Sequence, residues 1–205
     1  MMSRRNFSLA AGMATAVALS AGALIASTAQ AAPDASEPMI APDFTGTTAT
    51  GETVSLSDYA GKRVILEWTN YAVPPANMQG LQTDASESDV VWLSIISSAP
   101  GKQGHRTGAE ILDMNEGRGA TPEHVIIDES GDIGRLYKAK TTPHMFLITE
   151  DGMVAYQGAI DDTPSARVSD IETATNYVSA AMQSVAAGEP VEVASSKPYG
   201  CSVKY

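Results

Sequence analysis

Cysteine is almost absent from this chain of 205 residues, because Cys201 is the only one. One thiol cannot close a disulfide within a single chain, so internal cysteine bridges are excluded as a source of stability. Cys201 is therefore a free thiol, half of a bridge to another chain, or the remaining half of a pair whose partner has been lost. Any chemistry that needs two thiols lacks one of them here.

Basic residues are also few, since 13 Lys and Arg face 24 Asp and Glu and give a formal net charge of −11. A surface of this charge repels phosphates, so we exclude nucleic acid and anionic lipid as main partners.

His105, His124 and His144 are far apart and lack the close spacing of paired metal ligands. The loop at 101–104 has no phosphate-binding Lys-Ser or Lys-Thr pair. We therefore expect neither a metal nor a cofactor.

Long apolar runs are missing except near the start of the chain. Residues 1–9 include Arg4 and Arg5, residues 10–26 are uncharged and rich in alanine, and Ala29-Gln-Ala31 offers a small-x-small cleavage site. This pattern predicts an export signal over residues 1–31, and Ser-Arg-Arg-x-Phe is typical of the twin-arginine route. An uncleaved anchor is the less favoured alternative, because a membrane span needs about 20 apolar residues. Cleavage would remove two arginines, so the net charge becomes −11 − 2 = −13 in a periplasmic protein.

The remaining sequence predicts one domain. Residues 32–40 are rich in Pro, Ala, Ser and Glu and indicate a flexible lead-in, residues 41–187 form the domain, and residues 188–205 form a tail that contains Cys201 and has no periodicity. Apolar strands alternate with helices and a hairpin closes the domain, which predicts an α/β three-layer sandwich around a mixed sheet. Strands are predicted at 41–44, 53–56, 64–68, 90–96, 124–127, 144–148 and 153–157, and helices at 76–86, 107–117, 133–139 and 171–187.

Several segments carry a family resemblance. Leu-Glu-Trp-Thr-Asn at 66–70, Lys-Thr-Thr-Pro-His-Met at 140–145 and Pro-Tyr-Gly-Cys-Ser-Val-Lys-Tyr at 198–205 are the clearest. With them, the chain resembles thioredoxin-like redoxins of the alkyl hydroperoxide reductase / thiol-specific antioxidant superfamily, in an exported bacterial group. The resemblance implies a thioredoxin fold with an N-terminal β-ribbon and a C-terminal tail. It also implies the activity of a thiol-dependent peroxidase or a thiol–disulfide oxidoreductase.

The chain departs from that family at its first active-site cysteine. Members of the group place a cysteine before a proline after the first long strand, whereas this chain has Val73 before Pro74 and reaches Asn77-Met-Gln79 early. Valine has no lone pair with which to attack a peroxide or a disulfide. The resemblance implies that Cys201 is the resolving thiol. We therefore expect an impaired redoxin in which Cys201 is the remaining candidate catalytic residue, and whether it is an enzyme stays open.

The second candidate site is the Thr142-Pro143 dipeptide. In thioredoxin-like proteins the matching peptide bond is cis, and the residue before the proline pairs with an extended substrate strand. The resemblance therefore implies substrate contacts at Thr142 and Pro143, together with Tyr71, Val73 and Pro74 at the end of the first long strand. The expected partners are a thiol or disulfide protein, an extended peptide, or a second copy bridged through Cys201. A non-enzymatic peptide-binding module is the alternative function.

Overall fold

The computed structural model describes residues 39–71, 78–165 and 167–205. The predicted export signal therefore lies outside the described residues, as do Val73 and Pro74. Among the residues that are described, no helix is long and apolar enough to cross a membrane. The division into signal, lead-in, domain and tail stays a prediction.

A seven-stranded mixed sheet forms the centre of the domain, with strand order β2-β1-β5-β4-β3-β7-β8. Strands β3, β4 and β5 run parallel, and the remaining neighbours are antiparallel. A separate two-stranded ladder joins β6 to β9. The strands are β1 (Thr45–Thr48), β2 (Thr53–Ser55), β3 (Arg63–Trp68), β4 (Val90–Ile96), β5 (His124–Ile127), β6 (Thr141–Thr142), β7 (His144–Ile148), β8 (Val154–Gly158) and β9 (Cys201–Ser202).

The central strands are buried on both faces, which is why their sequences are nearly continuous apolar runs rather than alternating ones. Strand β3 pairs with β4 from Arg63↔Val90 to Trp68↔Ile95, and with β7 on its other side. The carboxyl ends of β3 and β4 therefore lie side by side. This edge of the sheet is where the chain enters the candidate site.

Helices cover both faces of the sheet, so the predicted three-layer sandwich is confirmed. Helices α1 and α5 bury their apolar sides against one face, and α2 packs Ile111 on Ile96 and Val125 of that same face. On the opposite face, α3 and a 3₁₀ turn over Leu56–Tyr59 cover Trp68 and its neighbours. The helices are α1 (Met78–Glu87), α2 (Gly108–Arg118), α3 (Asp132–Leu136), α4 (Val168–Ile171) and α5 (Tyr177–Ala187).

Two sequence predictions about element boundaries were wrong. The first ribbon strand occupies Thr45–Thr48 rather than 41–44, because Pro42 has no N–H for a ladder and the Asp43 carboxylate accepts from the N–H groups of Phe44 and Ser57, each at 3.0 Å. The helix predicted over 171–187 begins only at Tyr177, as α5, and the short helix α4 ends at Ile171 before it. In α5 the side chain of Asn176 accepts from the N–H of Ser179 at 2.9 Å and caps a new helix.

The tail follows the surface of the domain. At the outer edge of β8, Gln157 exchanges backbone hydrogen bonds with Ala194 and Ser196, at 3.1 and 3.0 Å. Further along, β9 pairs with β6, and the N–H of Ala99 donates to the carbonyl of Lys204 at 2.9 Å. A segment without periodicity is thus held by backbone hydrogen bonds to three different parts of the domain.

Candidate functional site

The β6–β9 ladder brings together three of the residues singled out from the sequence. Thr142 lies opposite Cys201 in antiparallel register, and the Thr142-Pro143 peptide bond is cis, as expected from the sequence. The Thr142 hydroxyl also donates to the carbonyl oxygen of Cys201 at 3.3 Å. Cys201 is half-buried and its thiol is free. The remaining cysteine is therefore held directly beside the predicted groove.

Asn70 links this ladder to the end of β3. Its side-chain amide donates to the hydroxyl of Thr142 at 2.5 Å. Asn70 follows Trp68 and Thr69, and the N–H of Thr69 continues the sheet by donating to Ile95 at 3.0 Å. The edge of the parallel strands and the β6–β9 ladder thus form one connected site.

Gly200 permits the close approach of the tail. Its φ of +117° lies in a region that residues with a side chain rarely adopt. A Cβ at this position would overlap the carbonyl oxygen of Thr142. Glycine is therefore required where the tail enters β9.

Tyr71 lies at the same edge but its side chain is held by α2. Its hydroxyl donates to the Asn115 side chain at 2.5 Å, its carbonyl accepts from Arg118 at 3.1 Å, and the Arg118 guanidinium lies 5.2 Å from the ring centroid. Burial, with the nearby Glu67, raises the pKa of the Tyr71 hydroxyl far above its usual range, so it stays protonated. The substrate contacts assigned to Tyr71 stay a prediction, as do those of Val73 and Pro74, which lie outside the described residues.

Sequence reasoning missed Glu67 as a candidate functional residue. It lies in β3 with 2% of its surface exposed, and its carboxylate accepts hydrogen bonds from Trp92 at 2.8 Å and Ser94 at 2.9 Å. Burial raises the pKa of the Glu67 carboxyl, and the hydrogen bonds from these and other neighbours offset only part of the effect. The sequence feature that could have identified Glu67 is a single acidic residue within an otherwise apolar strand. A buried carboxyl of this kind can hold a proton near the end of β3.

Replacing Glu67 with glutamine should change how stability depends on pH. The folded chain holds the Glu67 proton more tightly than the unfolded chain, whose value is near 4.5, so the free energy of unfolding falls as the pH rises above 4.5. Glu67→Gln has no proton to lose, and its stability relative to wild type should rise as the pH increases above 4.5. Urea denaturation at several pH values measures this difference.

Glu110→Gln provides a control of opposite sign. Hydrogen bonds from Thr107 lower the pKa of the exposed Glu110 carboxyl, so its contribution is present above the unfolded value of 4.5 and is lost as the pH falls. The stability of Glu110→Gln relative to wild type should therefore fall as the pH rises. A Glu67→Gln difference that is flat or follows the same direction would contradict the assignment.

His144 adds a neutral ring beneath the proline. It is buried, its Nδ1 accepts from the N–H of Lys140 at 3.3 Å, and its ring packs 4.7 Å from that of Phe146. Burial, followed by the charge of Lys140, lowers the pKa of His144 to about 4. His105 instead lies 2.7 Å from Glu129 on the surface. Over the described ranges, no cluster of three or more His, Cys, Asp or Glu could hold a metal ion.

The chain is similar to known proteins both in sequence and in fold. The family model described as the AhpC/TSA family matches residues 39–157. Among solved structures, an uncharacterized conserved protein from Geobacillus kaustophilus is 21% identical with a TM-score of 0.66, covering 82% of this chain and 91% of that chain. A hypothetical protein from Sinorhizobium meliloti 1021 is 22% identical with a TM-score of 0.61, covering 82% and 93%. No curated protein matched the chain.

A third solved structure is a more distant match. It is a secreted Mycobacterium tuberculosis disulfide oxidoreductase described as homologous to E. coli DsbE, 18% identical with a TM-score of 0.46, covering 54% of this chain and 79% of that chain. The two longer matches show a shared fold, and with the sheet order and layers described above they confirm the predicted thioredoxin fold. The family match stops at residue 157 and does not include the tail.

Proposed function

The chain belongs to the AhpC/TSA family, and on that premise we propose that it is a redoxin reduced to one working thiol, Cys201, which reacts with a partner protein. The observation that carries this proposal is the position of Cys201, because the only cysteine of the chain pairs in register with Thr142 beside the cis Thr142-Pro143 bond. The thiol is thus held in the ladder rather than on a free tail.

The chemistry open to one thiol is exchange with a partner. The Cys201 thiolate attacks one sulfur of a partner disulfide, a new S–S bond forms, and the other partner sulfur leaves as a thiolate. Resolution then requires a thiol from outside, because the chain has no second cysteine. Val73 occupies the position that the family resemblance assigns to the attacking cysteine. We therefore propose that peroxide or disulfide turnover is impaired and that a mixed disulfide accumulates instead.

Residues 32–205 allow a direct test of this proposal. With 2-hydroxyethyl disulfide, mass spectrometry should show one added mercaptoethanol group per chain, absent in Cys201→Ser. With hydrogen peroxide and a thioredoxin system, steady consumption of peroxide should not exceed that of Cys201→Ser. Rapid turnover that is lost in Cys201→Ser would contradict the impaired mechanism, and failure of the wild type to form the adduct would overturn the role of Cys201.

A peptide-binding function is the second candidate, and β9 is the observation that favours it. Strand β6 already binds an extended segment, its own tail, through the mode that a partner peptide would use. A partner must therefore displace β9 before it can bind. A synthetic peptide of residues 198–205 should bind a variant whose tail has been released, such as Gly200→Ala, and should not bind wild type. No binding to the released variant would remove this candidate.

Export to the periplasm is part of the proposal and rests on the sequence alone. Residues 1–31 fused to a folded reporter should carry it across the inner membrane, and a variant with both Arg4→Lys and Arg5→Lys should leave it in the cytoplasm. Export of the double variant at the wild-type level would contradict the twin-arginine route.

A covalent dimer through Cys201 would appear on a non-reducing gel after oxidation, and a monomeric band would exclude it.

A further inference from the structure

Three segments around β9 contain basic residues and no acidic residue. They are residues 97–106, 135–144 and 200–205. This composition differs from that of the whole chain, in which 24 acidic residues outnumber 13 basic ones. We call these three segments the basic face, and its cationic residues are Lys102, Arg106, Arg135, Lys138, Lys140 and Lys204.

Backbone hydrogen bonds join the three segments into one surface. The N–H of Val203 donates to the carbonyl of Lys140 at 3.1 Å, and the N–H of Ala99 donates to the carbonyl of Lys204 at 2.9 Å. The pairing of Cys201 with Thr142 completes the connection. The tail, which carries the only cysteine, thus holds the three lysine-containing segments next to one another.

Four of the six cations on the basic face, all of them lysines, have no acidic partner among the described residues. On or beside the basic face, Arg135 lies 3.6 Å from Asp132, Glu129 lies 2.7 Å from His105, and Arg106 is close enough to Glu110 to help lower the pKa of that carboxyl. Within the described parts of the chain, no carboxylate lies within 4 Å of the other four cations, which are Lys102, Lys138, Lys140 and Lys204. Lys102, Lys138 and Lys140 are exposed, and Lys204 is half-buried with its ammonium donating to Ser202.

A cluster of unneutralised lysines on an acidic protein is suited to an anionic partner. Charged groups at an interface direct how two proteins meet and how they are oriented when they bind. Complementary charges also exclude partners whose charge has the wrong sign. At an ionic strength of about 0.1 M the screening length is about 10 Å, so the lysines act locally while carboxylates elsewhere on the molecule are screened. The basic face therefore carries unpaired cations on a molecule whose net charge is negative.

We propose that the basic face docks an acidic peptide segment of a partner protein alongside Cys201. The docking proposal extends the proposed function because it states the charge of the partner. It rests on the proposed function in one respect, which is that the docked segment lies next to the thiol that reacts. The docking itself needs no sulfur chemistry. It can therefore be measured in a Cys201→Ser background.

Fluorescence anisotropy with a labelled peptide of alternating glutamate and glycine tests the proposal, at about 0.1 M salt where screening is local. The Cys201→Ser protein should bind this peptide more tightly than the matching lysine–glycine peptide. Adding Lys102→Glu and Lys140→Glu should weaken binding of the acidic peptide at least tenfold. The matched control is Lys62→Glu, an exposed lysine at the opposite end of β3, which should change binding less than twofold.

Stronger binding of the lysine peptide, or equal losses in the double variant and in Lys62→Glu, would overturn the proposal. Sedimentation of the same samples tests a different occupant, because a dimer that dissociates in the double variant would show that a second copy covers the basic face. The exchange reaction with 2-hydroxyethyl disulfide, which is uncharged, is expected to proceed in the double variant with Cys201 restored. Failure of the Cys201→Ser protein to bind the acidic peptide, while the wild type retains exchange, would therefore reject this inference alone. Loss of exchange in the wild type, while the Cys201→Ser protein still binds the peptide, would reject only the proposed thiol function.

Discussion

Alanine at position 200 should displace β9 from β6 and expose Cys201. The new Cβ would overlap the carbonyl oxygen of Thr142, and φ at this position is +117°. A non-glycine residue held in a sparsely populated backbone region costs of order 1–3 kcal/mol, apart from the overlap. Because each 1.4 kcal/mol changes an equilibrium about tenfold, we expect the alkylation rate of Cys201 in Gly200→Ala to rise by at least about tenfold.

Gly152→Ala is the matched control for this experiment. Gly152 also has a positive φ, of +79°, but no atom lies within 4 Å of the Cβ that would be added. It therefore carries a similar backbone strain without a contact to the tail. Iodoacetamide labelling followed by mass spectrometry compares the two variants with wild type. Equal labelling rates in Gly200→Ala and Gly152→Ala would show that the ladder does not protect the thiol.

Trp68→Ala should cause the largest loss of stability. The indole is fully buried, lies 5.3 Å from the rings of both Tyr137 and Phe146, and donates to the hydroxyl of Ser97 at 3.0 Å. Removing a buried Trp side chain costs about 3–5 kcal/mol, because the transfer energy is lost and a cavity remains. Urea denaturation followed by far-UV circular dichroism measures the loss. A cost below about 1 kcal/mol would contradict the packing described here.

The hydrogen bond of Trp68 can be separated from its packing. Ser97 accepts from Trp68 and donates to the Asp128 carboxylate, which also accepts from the N–H of Gly134 at 2.9 Å in α3. Trp68→Phe keeps an aromatic ring but removes the donor, so it should cost about 1–3 kcal/mol. If Phe and Ala variants lose the same stability, the hydrogen bond rather than the ring holds α3 against the sheet.

Much of the fold is predictable because it depends on local patterns. The strands at 90–96, 124–127 and 144–148 were located correctly from apolar runs alone, since burial on both faces requires such runs. The start of α2 was equally clear, because Thr107 and Glu110 form the capping box that their spacing indicates. In these cases the residues that predict a strand or helix lie within that strand or helix or within a few residues of it.

The missed features depend on residues that are distant in sequence. The break between α4 and α5 is stabilised where the N–H of Tyr177 donates to Ile160 at 3.0 Å, a contact that helical periodicity cannot show. Strand β9 has two residues and no apolar pattern, and the Thr142 that bonds to Cys201 is 59 residues away. The cis Thr142-Pro143 bond was predictable from the family resemblance, whereas the pairing of the tail with β6 required the fold.

The contacts at the outer edge of β8 also cover backbone groups that could otherwise pair with another chain. An open sheet edge offers unpaired N–H and C=O groups to other chains and promotes fibril growth. Here residues 39–41 cover one end of β8, through the N–H of Val154 on Met39 at 2.8 Å, and Ala194 and Ser196 cover the other at Gln157. The opposite edge strand, β2, has only three residues. Proteolysis within residues 188–193 would free the tail side of β8, so a nicked preparation should form thioflavin-positive aggregates sooner than intact protein.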